Sequence, residues 1–163
     1  VDSDSTVLDI GAGTGYLTLA LAPYVKKVAS VEPSEGMLNI LREKAEYLGI
    51  HNIDYINRKW EDAKTSQYDI VLASHSISCT KDPLTFFQRM HECARRFVFL
   101  IVFTDFEIFK SYRRFFYTRK DDIFKDIGGR INEEYVFRNL RETKGEFFLD
   151  IETYEVMIWY KKR

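Results

Sequence analysis

Apolar and polar positions along this chain repeat with two different periods, and each change of period marks an element. Val7 to Ile10 is a short apolar run that ends in a cluster of glycines. Leu17, Ala20, Leu21 and Tyr24 then recur at i, i+3, i+4 and i+7, the spacing of one helix face. Val28 to Val31 predicts a second strand. Ser34 is placed to cap the next helix, with Glu35 favourable in its first turn. Leu38, Leu41, Ala45 and Leu48 give that helix a buried stripe, and Gly49 stands where it should stop. Ile53 to Ile56 predicts a third strand and Ile70 to Ala73 a fourth. Asp82 followed by Pro83 signals a helix start, with Leu84, Phe87, Met90 and Ala94 facing inward. Phe97 to Phe103 is apolar throughout, as a strand covered on both faces should be.

Strands and helices in alternation, with apolar central strands, predict a parallel sheet with helices on both faces. The tail breaks that rhythm. Asn132 to Lys144 has helical spacing, and Phe147 to Ile151 and Tyr154 to Tyr160 read as two strands joined by a short turn. The expected architecture is five parallel strands followed by an antiparallel hairpin. At 163 residues the chain suits one domain, residues 1–163. The stretch from Phe106 to Ile127 is too long to be a plain connection and reads as an insertion, 106–128, after the fifth strand.

Composition narrows the function classes. The chain is 45% apolar, 15% aromatic and 30% charged, which supports a packed core and argues against disorder. Lys plus Arg is 24 against 25 Asp plus Glu, a net charge of −1. Bulk charge therefore does not hold this protein to nucleic acid or anionic lipid, although a local basic patch stays open. The longest apolar run falls well short of the ~20 residues that a membrane-spanning helix needs. The start, Val1 to Thr6, is polar and acidic and carries no secretory signal. Cys79 and Cys93 form no CxxC motif, so a reducing, cytoplasmic setting with inert thiols is expected. No His, Cys, Asp and Glu cluster has metal-ligand spacing, and no metal is expected.

The most informative stretch is Val7-Leu8-Asp9-Ile10-Gly11-Ala12-Gly13-Thr14-Gly15, a strand that runs into a glycine-rich loop with a helix behind it. Glycines there allow a tight turn and let a ligand approach the backbone. A nicotinamide fingerprint would place glycine at position 16, which is Tyr16, so that reading fails. Asp9 can accept hydrogen bonds from a ligand or from the loop's own amides. Glu32 closes the second strand, where a carboxylate suits a grip on two ribose hydroxyls.

Asp9-x-Gly11-x-Gly13-x-Gly15 together with Glu32 resembles the class I S-adenosylmethionine-dependent methyltransferases of the small-molecule type. The resemblance covers about residues 5 to 104 by motif and the tail by topology. It implies a three-layer, Rossmann-like α/β fold whose sheet has seven strands, five parallel plus a C-terminal antiparallel hairpin. It implies S-adenosyl-L-methionine as cofactor and S-adenosyl-L-homocysteine as product. The loop carrying Gly11, Ala12, Gly13, Thr14, Gly15 and Tyr16 would pass under the methionine part, with Asp9 near the amino group. Glu32 would hold the ribose, and Pro33 and Met37 would lie beside the adenine. After the third strand comes Asn57-Arg58-Lys59-Trp60-Glu61-Asp62, where such enzymes often carry an acid for the adenine amino group. Glu61 or Asp62 would supply it, one register puts Lys59 there instead, and Trp60 would stack on or edge the adenine.

The fourth strand ends Ala73-Ser74-His75-Ser76-Ile77, where the resemblance places residues beside the transferred methyl. Ser74 is assigned to the cofactor. His75 is the expected general base for a hydroxyl or acidic-carbon acceptor, or else a histidine that shapes the pocket. His51 and His91 are read as surface residues. The motifs of amino-methylating DNA enzymes and of cytosine C5 enzymes are absent, so a small or medium-sized acceptor is expected. RNA is possible but not favoured, and a non-catalytic cofactor-binding subunit of a heteromer is the rival from another class. Between Lys110 and Lys120 the insertion carries five basic residues and no acid. It reads as a lid with Tyr112, Phe116 and Tyr117 lining the acceptor pocket, as a basic RNA surface, or as an amphipathic helix with a solvated face. Helices that usually precede the first strand are almost missing here. They are expected to lie outside this sequence, or the acceptor site is open, or a partner completes it. The acceptor, the methylated atom and the oligomeric state are not legible.

Overall fold

The computed structural model describes residues 2–103, 146–150 and 155–161. The expected insertion at 106–128, its aromatic residues Tyr112, Phe116 and Tyr117, and the expected helix at 132–144 lie outside the described residues. The elements run β1 (Thr6–Ile10), α1 (Tyr16–Leu21), β2 (Lys27–Val31), α2 (Glu35–Tyr47), β3 (Ile53–Ile56), β4 (Tyr68–Ser74), α3 (Pro83–Cys93) and β5 (Ala94–Phe103). Two later segments, β6 (Glu146–Asp150) and β7 (Glu155–Lys161), are also extended.

The first five strands pair in parallel in the order β3-β2-β1-β4-β5. Strand order reverses between β1 and β4. That switch point opens a crevice at the carboxyl ends of the strands. The side-chain period of two sorts the core. Leu8, Ile10, Ala29, Val31, Val71, Ala73, Val98 and Leu100 pack with Phe86, Phe87 and Met90 of α3. Val7, Val28, Ile53, Ile70 and Leu72 pack on the other face with Ala22 and Ala45, beside the residues of α1 and α2.

Local chemistry sets the helix ends. Ser34 caps α2 by accepting from the Met37 amide at 3.4 Å. Leu38, Leu41 and Ala45 are buried as the spacing predicts. Leu48, read as part of that stripe, is exposed because it is the C-cap. The Ile50 amide bonds the Ala45 carbonyl and the Gly49 amide that of Glu46, with Gly49 at φ +66°. That pairing is a Schellman stop, and a left-handed residue there favours glycine. Asp82 caps α3 by accepting from the Thr85 amide at 3.1 Å, with Pro83 in the first turn.

The predicted face of α1 needs correction. Thr18 and Ala22 are buried, whereas Ala20 is exposed and Tyr24 is 71% exposed. The α-helix stops at Leu21, and Pro23 tightens Ala22–Tyr24 into a 3₁₀ turn. The face turned to the sheet follows Thr18, because its hydroxyl is bonded to Asp9 beneath it.

The glycine loop and its candidate cofactor site

A cavity of about 480 Å³ opens at the switch point. Asp9 at the end of β1, Gly11 to Thr14 of the loop, Tyr16 and Leu17 of α1, Ser74 and His75 at the end of β4, and Ile101 of β5 line it. The sequence had marked all of these except Leu17, which it assigned to the helix face, and Ile101. Both have a signal in the pattern: Leu17 begins α1 directly behind the loop, and Ile101 is the register partner of Ser74.

Three glycines of the loop lie at positive φ, and they serve different ends. A Cβ on Gly11 would overlap the Cβ of Ser76, and one on Gly15 would overlap Cδ1 of Leu41 in α2. Those two positions let protein pack on protein. A Cβ on Gly13 would meet nothing nearer than the Met37 sulfur at 4.0 Å. Gly13 is thus the glycine that keeps the cavity wall bare. The amides of Gly11 and Ala12 both donate to the Val31 carbonyl, at 2.8 and 3.1 Å, which ties the loop to the end of β2.

Two carboxylates flank the loop. Asp9 is buried, and its Oδ2 accepts from the Thr18 hydroxyl at 2.6 Å. Thr18 in turn lies 2.8 Å from the Ser30 hydroxyl. Burial pushes the Asp9 carboxyl up to about 6, against the Thr18 bonds that hold it down, and the nearby Glu32 charge adds to the rise. Glu32 is 7% exposed and stands beside the cavity rather than in its wall. Its Oε2 accepts from the Gly13 amide at 3.0 Å and its Oε1 from the Ser34 amide at 2.9 Å. A carboxylate offers roughly four lone-pair positions, so about half remain for a ligand. Asn57 steadies this corner: its amide donates to the Glu32 carbonyl at 3.1 Å and to the Pro33 carbonyl at 3.0 Å. The sequence placed no role on Asn57, although its position just past β3 is the visible cue. Lys44 of α2 braces the loop from outside, on the carbonyl and hydroxyl of Thr14.

His75 adopts φ +56°. Left-handed backbone at a non-glycine residue costs about 1–2 kcal/mol, and the neighbouring bonds oppose it. The His75 amide donates to the Ile101 carbonyl at 2.8 Å, and the Ser76 hydroxyl donates to the Ile10 carbonyl at 2.7 Å. His51 is exposed and His91 half-buried.

The remaining assigned residues fall elsewhere. Pro33 and Met37 are exposed at the start of α2, with Met37 facing Gly13. Lys59, Trp60 and Glu61 do not line this cavity. Lys59 and Glu61 are exposed, and the Thr80 hydroxyl bonded to Glu61 at 2.7 Å holds that carboxyl below its ordinary range. The stacking expected of Trp60 is corrected. It is 4% exposed within the core under α3, its ring edge meets Phe86, and its indole N–H donates to the Phe86 carbonyl at 3.0 Å. Arg89 lies over the ring at 4.4 Å and donates to the Trp60 and Ala63 carbonyls. Burial and a satisfied N–H make Trp60 a packing residue.

The site therefore joins a bare backbone wall to two acids at adjacent strand ends. That set suits a ligand with hydroxyls and a positive charge. A family model described as a methyltransferase domain matches residues 7–96, more than half of the chain. A ubiquinone biosynthesis O-methyltransferase of Ruegeria pomeroyi is 32% identical over 88 residues, 53% of this chain and 35% of that protein. A 23S rRNA (uracil(1939)-C(5))-methyltransferase of Chromohalobacter salexigens is 40% identical over 50 residues, 31% of this chain and 10% of that protein. The chain spans between 22% and 29% of the length of the first curated relatives it matches. Among solved structures, a Streptococcus mutans protein in complex with SAH superposes with a TM-score of 0.71 at 19% identity, covering 100% of this chain and 91% of that one. The match over β1 to α3, which contains the glycine loop and both acids, settles the family: the chain belongs to the methyltransferase domain family.

Proposed function

We propose that this cavity binds S-adenosyl-L-methionine and that the chain moves its methyl group to a small or medium-sized acceptor. The observation that carries the reading is that Asp9 and Gly13 stand in the wall of one crevice, with Glu32 beside it and bonded to the Gly13 amide. The donor set fits the group. Buried Asp9 offers a negative charge to an ammonium or sulfonium, Glu32 keeps lone pairs for ribose hydroxyls, and bare Gly13 admits close approach. Pro33 and Met37 flank the adenine side in this reading, and Lys59 and Glu61 stay candidates for its edge. When bound, the cofactor supplies an electrophilic methyl group that carries its own leaving group. The chain's part is to fix the geometry, exclude water and take a proton. His75, in the wall beside Ser74, is the group assigned to accept the acceptor's proton.

The proposal extends to the whole chain. β6 and β7 complete a seven-stranded sheet as an antiparallel hairpin beyond β5. Its support is the register that sets Phe97 opposite Lys161 and Phe103 opposite Glu155, and Glu146 opposite Trp159. Residues 1–163 then form one domain. A cytoplasmic setting belongs to the same proposal. Cys79 and Cys93 are free thiols, and no described helix is long and apolar enough to cross a membrane.

Calorimetric titration with S-adenosylmethionine and S-adenosylhomocysteine tests the reading. Wild type should bind both, and Glu32→Ala should lose most of the affinity. Wild-type protein that binds neither refutes it. An RNA acceptor is the second reading, favoured by the similarity to an rRNA methyltransferase. It requires salt-sensitive RNA binding that disappears when Arg113 and Arg114 are neutralised. Cofactor binding with no turnover on any acceptor, in a stable heteromer, would instead mark a non-catalytic subunit.

A further inference from the structure

The turn after β4 is fixed to the rest of the site by two bonds on either side of one residue. The His75 amide donates to the Ile101 carbonyl of β5, and the next residue, Ser76, donates its hydroxyl to the Ile10 carbonyl, the last of β1. These bonds reach across both neighbours of β4, since β1 and β5 pair with it on opposite sides. Between them His75 is held at φ +56°, a left-handed conformation uncommon outside glycine. Ser76 reaches its acceptor only because Gly11 has no side chain, as a Cβ there would overlap that of Ser76. The turn and the glycine loop are therefore built against each other, with His75 at the cavity wall where they meet.

We infer that Ser76 is a positioning residue for His75: its hydroxyl, locked to the end of β1 across Gly11, sets the left-handed turn that places His75 in the cavity wall. The role rests on the reading of the cavity as the cofactor and acceptor site. It gives Gly11 a purpose distinct from contact with the cofactor, and it predicts that the first glycine and Ser76 act as one unit. The bond cannot be replaced from solvent without opening the turn, because Ser76 is only partly exposed and the Ile10 carbonyl belongs to a buried strand end.

The experiment follows the histidine ring protons by NMR. The chain has three histidines, so His75→Gln identifies the His75 signal by its loss. In Ser76→Ala the His75 signal should move, while those of His51 and His91 stay in place and report an intact fold. A conformational role confined to overall stability would leave the His75 signal unchanged. An unmoved His75 signal with the hydroxyl gone overturns the inference. Should Ser76→Ala fail to fold, Ser76→Cys keeps the Cβ and a weaker donor, and the same displacement of His75 alone is expected. A second readout uses S-adenosylhomocysteine: the affinity lost in Ser76→Ala should not be lost again when Ser76→Ala is added to His75→Gln. Additive losses overturn the inference. If wild type does not bind S-adenosylhomocysteine, the functional reading falls, and the NMR displacement still decides whether Ser76 positions His75.

Discussion

Replacing Asp9 by asparagine separates what this carboxylate costs the fold from what it gives the site. Burial moves its pKa from 3.8 to about 6, which corresponds to about 3 kcal/mol between the folded and unfolded chain. The sign follows from which state holds the proton. Between about pH 4 and pH 6 the unfolded chain has already ionised Asp9 while the folded chain has not, so stability falls as pH rises through that window and is flat above it. The side chain introduced by Asp9→Asn carries no charge in either state. Its own packing cost, including an amide group beside Thr18 and Ser30, is the same at every pH. The difference in unfolding free energy between variant and wild type should therefore shift in the variant's favour by roughly 2–3 kcal/mol from about pH 4 to pH 7. Urea denaturation at the two pH values measures it, with equal m-values in both proteins as the check on two-state behaviour. A difference that does not change with pH, or that moves toward wild type at pH 7, refutes the account of Asp9 as a desolvated charge. The same variant should bind S-adenosylhomocysteine more weakly, because the charge that burdens the empty fold is the one offered to a cationic ligand.

Gly15→Ala should destabilise by about 2–4 kcal/mol, since the new methyl overlaps Leu41 in a left-handed position; Gly13→Ala should cost only about 1–2 kcal/mol yet lose more ligand affinity, and thermal unfolding with calorimetry compares the two. Asp69→Ala should cost about 2 kcal/mol at neutral pH, because Asp69 accepts from the Thr6 amide and hydroxyl and pairs with Arg95 at 3.0 Å. Arg95 holds the Asp69 carboxyl well below the usual carboxylate range, so this contribution is present above about pH 4 and fades as pH falls below it; denaturation at neutral pH and again well below about pH 4 reads that loss. Trp60→Phe should cost about 1 kcal/mol by removing the indole N–H bond to the Phe86 carbonyl, with cofactor affinity unchanged; lost affinity at full stability would return Trp60 to the adenine.

Most of the parallel sheet was legible because each strand carries its own apolar run between turn residues, and parallel strands buried on both faces leave little ambiguity in that run. Strand ends moved outward by one to three residues, as at Tyr68 and Ala94, where polar or small residues extend the ladder. The face of α1 was legible in part: Leu17 and Leu21 pack on the core as expected, whereas Ala20 and Tyr24 are exposed. Periodicity counts apolar side chains, and the residue that turns this helix toward the sheet is a threonine whose value lies in a hydroxyl aimed at Asp9. Trp60 failed for the complementary reason. An aromatic after β3 looks the same in sequence whether it faces a ligand or the core, and only the Phe86 carbonyl and Arg89, 26 and 29 residues away, decide between them.

The glycine loop makes the same point about the site. In sequence, Gly11, Gly13 and Gly15 are three equal parts of one motif. In space, two of them serve contacts between protein segments far apart in the chain, Ser76 after β4 and Leu41 within α2. Gly11 and Gly13 both line the cavity, but of the three only Gly13 would meet no protein atom nearer than 4.0 Å with a Cβ added. A motif match therefore reports a packing arrangement, the seating of the β4 turn and of α2 against the loop, as much as it reports ligand chemistry. The same holds for Glu32, whose two oxygens already bond the Gly13 and Ser34 amides before any ribose is considered. The ligand-specific content of the site reduces to the bare wall at Gly13, the spare lone pairs of Glu32 and the buried charge of Asp9. Gly13 and Asp9 can each be tested by one substitution, whereas replacing Glu32 also releases the Gly13 amide and removes a charge that acts on Asp9, so its loss reports on the corner as a whole.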